Sequence, residues 1–369
     1  MNFDFSEDQK LLRTQTYKFL AARCPPAVVR EVLDSPALGY DKVLWNTLAE
    51  QGWTSTGIPE EFQGSGLGKL ELCVLAEELG RFLAPVPFSS TMYLFSEALL
   101  LAGSGSQKAQ WLPKVAAGQV IGCMAVSEGP GHLRDHEIRC TVTDGRLTGT
   151  KLPVVDGTIG DAAIVLAVEN GRPGLYLARL DASTTQTFLD SIDPTRGIAK
   201  IVFEGTQVEP LGEPGNGREL LQSVLDRAAV YVAFEQLGGA ERCLEMAKDY
   251  ALNRYAFGRQ IGSFQAIKHK LADMYIKIEL ARANAYYGAW ALEANAAELA
   301  AAAAAARVAA SDAYWYAGKE NIHIHGGIGF TWEADCHLYY RRARHLALLV
   351  GAPRIWKERL VNELERGTM

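Results

Sequence analysis

No two cysteines in this chain stand at Cys-x-x-Cys spacing. The six, Cys24, Cys73, Cys123, Cys140, Cys243 and Cys336, lie far apart. They read as reduced thiols, mostly buried, of a protein kept in a reducing compartment. No apolar run reaches the roughly 18–20 residues that span a bilayer. The nearest stretch, Ala296 to Ala310, is alanine-rich. Alanine is a strong helix former but weakly apolar, so a tightly packed helix is expected there. Basic charge is not in excess, with a net charge of -6 and a pI near 5.7, which argues against nucleic acid or an anionic membrane as partner. The opening residues, MNFDFSEDQK, are acidic and lack an apolar signal core; neither a secretory nor a transit peptide is expected, and the expected location is cytoplasmic. A G-x-G-x-x-G fingerprint, a P-loop and a G-x-S-x-G elbow are all missing. His323 and His325 are two apart, a poor spacing for one helix face; His132 and His136 follow Gly129-Pro130-Gly131 with no third ligand nearby. No metal site is expected.

What is present is an ordinary globular composition over 369 residues, enough for two or three packed units. Residues 1–117 are helical in pattern. Ser6 before Glu7 and Asp8 makes a helix start with negative charge in its first turn, and Leu11, Leu12, Tyr17, Leu20 and Ala21 recur near helical spacing. Residues 118–210 change texture. Short β-branched runs alternate with turns, and Asp144-Gly145 and Asn170-Gly171 are hairpin signals. Residues 211–369 are helical again, with an apolar stripe at Leu221, Leu225, Ala228, Ala229 and Val232. The expected fold is α+β and multidomain: a helical domain, a middle antiparallel β barrel or sandwich, and a C-terminal four-helix bundle.

The most informative string is Tyr250 to Met274, YALNRYAFGRQIGSFQAIKHKLADM. The spacing predicts Arg254 and Phe257 on one helical face, a Gly258 to Gly262 break, and a second helix with Gln265 in its first turn. A planar cation, an aromatic ring and an amide beside a helix N-terminus suit a diphosphate attached to an adenine. A second string, IHIHGGIGFTWEADCHLYYRR from Ile322 to Arg342, sets Gly326-Gly327 where the backbone can approach another body closely.

Both strings resemble the acyl-CoA dehydrogenase family, the first its R-x-x-F-G-x-x-I-x-x-F-Q run and the second its Q-x-x-G-G-x-G-F block. The segment Leu44 to Phe88 resembles the family's N-terminal helical domain. The resemblance implies helix, β, helix order, FAD as cofactor, an acyl-CoA substrate and electron-transferring flavoprotein as acceptor. It places Arg254, Phe257, Gln265, His323, Gly326 and Gly327 against the cofactor's adenosine diphosphate, with His323 standing where the family usually has Gln. Val126-Ser127-Glu128-Gly129-Pro130-Gly131 looks like the loop along the flavin and thioester, so Val126 and Ser127 are expected there too. The next block, Lys151-Leu152-Pro153-Val154-Val155-Asp156, lacks the family's flavin-stacking Trp and its Thr.

Thioester dehydrogenation needs a carboxylate to take the α-proton while hydride leaves the β-carbon. At the commonest family position for that base this chain has Val350. At the second, on the helix opening the C-terminal bundle, it has Asp226. Asp226 is therefore the base, a carboxylate paired with a nearby Arg, or a favourable charge in the first turns of a helix. Glu235, nine residues along, points almost opposite and is expected in solvent or in an ion pair. In the family each FAD lies at a subunit interface. Keeping the diphosphate half while losing part of the ring half fits one subunit of a homo- or heterotetramer with a related chain. Segments such as Ala84 to Phe88 resemble the α2β2 enzymes that act on bulky or steroid side-chain acyl-CoAs. A non-catalytic partner subunit, or a flavin oxidase on the same scaffold, are the competing readings.

Overall fold

A computed structural model describes residues 5–35, 39–131 and 133–367. His132, and with it the His132–His136 pair, lies outside the described residues. The chain divides into two compact units. One holds the chain up to Val29, Lys69–Ala84 and everything from Ala229; the other holds Arg30–Gly68 and Pro85–Ala228.

In chain order the first helices are α1 (Glu7–Arg23), α2 (Pro26–Asp34), α3 (Lys42–Glu50), α4 (Lys69–Arg81), α5 (Glu97–Ala102) and α6 (Gly105–Ala116), with a π-helical segment at Ser89–Ser96. The C-terminal helices are α7 (Gly217–Asn253), α8 (Gln265–Glu293), α9 (Leu299–His325), α10 (Cys336–Leu349) and α11 (Pro353–Gly367). Ser6 caps α1 as its sequence announces: its hydroxyl accepts from the Gln9 amide while Gln9 reaches back to the Ser6 amide. Two first-turn donors are thereby satisfied.

The first unit is the helical one. α4 and α7 touch backbone to backbone, because glycines stand at the contact. A Cβ on Gly80 would lie 1.8 Å from the Glu235 carbonyl oxygen, and one on Gly238 would lie 1.7 Å from that of Glu77. No side chain can turn away from that contact, so Gly238→Ala is expected to lower stability by about 3 kcal/mol or more. Urea unfolding checks this, and an unchanged midpoint would refute so close a crossing. Around it lies a charge network. Arg13 and Arg282 both reach Glu77, at 2.9 and 2.8 Å, and Arg81 reaches Glu245 at 2.6 Å. These cations let carboxylates of α4 be buried. The alanines of α9, among them Ala302, Ala303, Ala306 and Ala310, are buried as the composition led one to expect.

The second unit is built on a seven-stranded barrel: β1 (Gly122–Ala125), β2 (Thr141–Thr143), β3 (Arg146–Val155), β4 (Ala162–Glu169), β5 (Arg172–Arg179), β6 (Thr184–Leu189) and β7 (Ile198–Leu211). β4, β2, β3, β7 and β5 pair in a ring that closes from β5 back to β4. β1 runs along the same edge of β4 as β2, and β6 pairs β7. Most pairings are antiparallel; β1–β4 and β2–β4 are parallel. Both glycine signals are two-residue hairpins. Asp144 and Gly145 have φ of 50° and 70°, Asn170 and Gly171 of 50° and 79°, the left-handed pair that matches the twist of flanking strands. Val142, Leu147, Val154, Val165, Ile201 and Phe203 fill the barrel core.

All six cysteines are buried, and none is in a disulfide. Burial pushes the Cys140 thiol up to about 12 and the Cys336 thiol to about 11, which makes both poor nucleophiles. Among the described residues no helix is long and apolar enough to cross a membrane, and no cluster of three His, Cys, Asp or Glu is arranged to hold a metal.

Candidate functional site

Within the helical unit, the end of α7, the start of α8 and the end of α9 come together. α7 stops at Asn253, earlier than the helical spacing of Arg254 and Phe257 requires. The expectation that these two share a helix face is therefore corrected. Tyr255–Ala256 pairs with Arg259–Gln260 as a small hairpin, and the Ile261 amide closes it on the Arg254 carbonyl at 2.8 Å. The turn is Phe257-Gly258, at φ of 52° and 77°. The glycine that follows Phe257 makes a left-handed turn cheaper than one more turn of helix.

Phe257 itself is unusual. A bulky residue at positive φ is strained, and this one is 95% exposed. Burial does not compensate the strain; the ring only meets Phe264 edge-on at 6.3 Å, while the Arg259 guanidinium lies 4.0 Å over Phe264. A strained and exposed aromatic is a candidate ligand contact. Arg254 and Gln265 are exposed beside it, and Gln265 is the first residue of α8, which has no side-chain cap.

The 323–327 segment is tied to this corner twice. Tyr250 of α7 stacks on His325 of α9 at 4.2 Å, and Lys270 of α8 reaches His323 at 3.2 Å. Gly326, at φ 65°, and Gly327 have nothing within 4 Å of where a Cβ would stand, and the same holds at Gly258. The corner is an open cradle with bare backbone, an aromatic ring and a guanidinium, which fits the adenosine diphosphate half of a dinucleotide. Glu320, beneath His323, is held below the ordinary carboxylate range. Burial pushes it up, but the hydrogen bonds and charges of Lys270 and Lys319 outweigh that.

In the barrel unit, Val126 and Ser127 follow β1 directly and lie along β3. The Leu152 amide donates to the Ser127 carbonyl at 2.9 Å, and Glu128 bridges to Leu152. The anchor is a residue whose role the motif reading missed. Lys151, 0% exposed, donates to the Val126 carbonyl at 3.0 Å and to Glu128 at 2.7 Å. Glu128 also accepts from the Arg139 and Cys140 amides. The two partners shift the same way for opposite reasons. Burial pushes Glu128 up, yet its hydrogen bonds hold it below its ordinary value; burial draws Lys151 below its own, more than Cys140 and Glu128 restore. The available signal was alternation: Leu147, Gly149 and Lys151 share one face of β3, and the buried Leu147 makes that face the inner one.

Asp226, on the part of α7 that belongs to the barrel unit, is 6% exposed, and the Gln222 side-chain amide one turn earlier donates to it at 3.2 Å. Glu235 is buried, not solvent-facing, with Arg342 Nη1 at 3.7 Å; of the two expectations for it, the ion pair is the one found. Val350 is buried at the C-cap of α10, where its carbonyl accepts from the Trp356 indole at 3.1 Å.

Comparison with known proteins points one way. Residues 6–119 match the family model for the acyl-CoA dehydrogenase N-terminal domain, and residues 215–364 that for its C-terminal domain. The chain is similar to the acyl-CoA dehydrogenase IpdE2 of Mycobacterium tuberculosis, 37% identical over 97% of this chain and 98% of that protein. Among solved structures it is similar to a variant of the Tcur3481-Tcur3483 steroid ACAD, with TM-score 0.88 and 30% identity over 98% of this chain and 99% of that one. The ChsE4-ChsE5 complex from Mycobacterium tuberculosis gives TM-score 0.88 and 27% identity, covering 99% of each chain.

Proposed function

The chain belongs to the acyl-CoA dehydrogenase family, and from that premise we propose that it acts as one subunit of an oligomer in FAD-dependent α,β-dehydrogenation of an acyl-CoA thioester with a bulky acyl group. The observation that carries the reading is the open corner of Arg254, Phe257, Gln265, Gly326 and Gly327. Its strained exposed ring and unfilled Cβ positions leave room for an adenosine diphosphate.

Bound FAD supplies the hydride acceptor for the β-carbon. The chain's own residues do the rest. Arg254 neutralises diphosphate charge, Phe257 covers the adenine, and Val126 and Ser127, held by Lys151 and Glu128, present a fixed edge to the ring end. Asp226 takes the α-proton. The likeness to a steroid ACAD supports a bulky acyl group, and electron-transferring flavoprotein is the acceptor that the family implies. Oligomerisation is supported by exposed apolar residues of the helical unit: Tyr275, Ile276 and Leu280 on α8, and Ile328, Phe330 and Trp332 after α9.

A second reading has its own observation. Val350 puts a buried valine where the family most often keeps its base, so this chain completes the cofactor site while a homologous chain supplies the carboxylate. The purified chain alone is expected to bind FAD weakly or substoichiometrically, and to reach one FAD per site when a homologous chain co-purified from the native host is added back. The flavin absorbance per polypeptide measures this. A yellow, stoichiometric homotetramer that turns over alone would overturn the partner reading.

A further inference from the structure

β3 passes the Val126–Ser127 edge through a bulge, and a buried ion pair stands on each side of that bulge. We propose that the second pair, Asp156 with Arg196, is a positioning device: it ties the bulged edge of β3 to the π-helical segment, and so fixes the backbone beside Ser127 for a flavin ring. This rests on the FAD reading above and deepens it by giving Asp156, Arg196 and Ser90 positioning roles.

The ladder of β3 with β7 pairs Lys151 with Ile201 and Val154 with Ala199. Leu152 and Pro153 of β3 therefore stand against the single Lys200 of β7. Two residues against one is the count of a β-bulge, which bends a strand and re-aims it. Here the bulge faces the loop after β1, since the Leu152 amide donates to the Ser127 carbonyl at 2.9 Å. On the near side of the bulge, Lys151 pairs with Glu128 at 2.7 Å. On the far side, Arg196 Nη2 pairs with Asp156 Oδ2 at 2.7 Å, the two side chains 2% and 1% exposed.

Asp156 is constrained in backbone and side chain together. Its φ is 57°, a left-handed conformation that Asp adopts more readily than most residues. Its amide donates to the Gly197 carbonyl at 2.6 Å. Its Oδ2 also accepts from the Ser90 hydroxyl at 2.6 Å, and Arg196 Nη2 donates to the Ser89 hydroxyl at 2.7 Å. Ser89 and Ser90 open the π-helical segment, every residue of which is buried. Such segments are rare and are frequent at functional sites. A turn aims Arg196 at this point. The Arg196 amide donates to the Asp193 carbonyl at 3.1 Å, and the Thr195 amide to the Asp193 carboxylate at 3.2 Å. All of these residues belong to the barrel unit.

An apolar pair of the same volume would hold the two elements about as firmly, because burying both charges costs desolvation that their attraction only repays. What the ion pair adds is a single geometry, in which one guanidinium nitrogen, one carboxylate oxygen and two hydroxyls meet. That geometry counts here because the side chains of Pro153 and Val155 can neither donate nor accept a hydrogen bond. Only backbone is left at this edge to serve a ring, and backbone serves only when it is held to within about 0.5 Å.

The test uses the full chain, together with its homologous partner chain if that is needed for binding. Amide hydrogen exchange over residues 152–158 is read in the FAD-free protein. Affinity is read for FAD and for ADP, which reaches only the diphosphate corner. Asp156→Asn keeps a side chain suited to positive φ and removes the charge. It is expected to speed exchange in that stretch about tenfold and to weaken FAD about tenfold, with ADP kept within about twofold. Ser90→Ala leaves the ion pair in place and should move exchange and FAD affinity the same way by about threefold, so the proposal is tested even where Asp156→Asn does not fold. Wild-type FAD affinity in both variants would make the pair merely structural and overturn the proposal. Equal losses of FAD and ADP, or unchanged exchange at 152–158, would overturn it too. No FAD binding by the wild-type assembly would overturn the cofactor reading and with it the positioning role; the exchange measurement would still report on the tie between β3 and the π-helical segment.

Discussion

Replacing Asp226 by asparagine is expected to abolish bleaching of the flavin by acyl-CoA if this chain carries the base. General-base contributions run to about 10²–10⁴-fold in rate, and asparagine keeps the size of the side chain while losing the ability to take a proton. The Gln222 contact at 3.2 Å survives the change, because the asparagine side-chain oxygen still accepts. A fold and FAD content that stay as in the wild type while the rate falls mark the loss as chemical. Stopped-flow absorbance in the anaerobic complex measures it directly. An unchanged rate would take Asp226 out of the mechanism and leave the base to a neighbouring chain, which the buried Val350 already favours. An Asp226→Glu variant sharpens the reading. The added methylene moves the carboxylate by about 1 Å, a displacement that can cost ~100-fold even when the chemistry is unaltered.

The parts of this molecule that were legible in its sequence are those decided within a few residues. Ser6 caps α1, and the 144–145 and 170–171 turns are hairpins, because a hydroxyl two or three residues from an amide and a left-handed Asp-Gly or Asn-Gly pair need no distant partner. The 254–257 segment defeated the periodic reading because helical spacing continued one step past the point where a following glycine made a turn cheaper. The burial of Glu235 and the Lys151 anchor were not legible from local pattern alone. Both depend on charges from elsewhere in the fold, Arg342 in one case and Glu128 in the other. The parallel β1–β4 pairing likewise joins strands separated by a hairpin, with no local signal. Long-range pairing, more than propensity, is what the sequence withheld.

Lys151→Met tests one of those long-range pairs and should be among the most destabilising single changes in the barrel unit. Methionine leaves the Glu128 carboxylate, whose side chain is only 6% exposed, with two backbone amides but no cation. Breaking one side of a buried pair costs about 3–5 kcal/mol, because the remaining charge is left in a poor solvent. For a domain of this size that is a fall in melting temperature of roughly 10 °C. The pH dependence gives an independent check. Glu128 is held below its ordinary value in the folded chain, so its contribution is fully present above that value and drains away as pH falls through the folded one. Lys151, drawn below its ordinary value of 10.5, acts at the other end, where stability rises as pH climbs toward that value. Glu128→Gln should therefore flatten the acid limb of the stability curve and, because Glu128 helps hold Lys151 up, extend the alkaline rise to lower pH. The double variant Lys151→Met, Glu128→Gln should lose less than the two single losses added together, since each single change strands the other partner. A Lys151→Met melting curve that overlays the wild type would show that Val126 and Ser127 hold their place without this anchor.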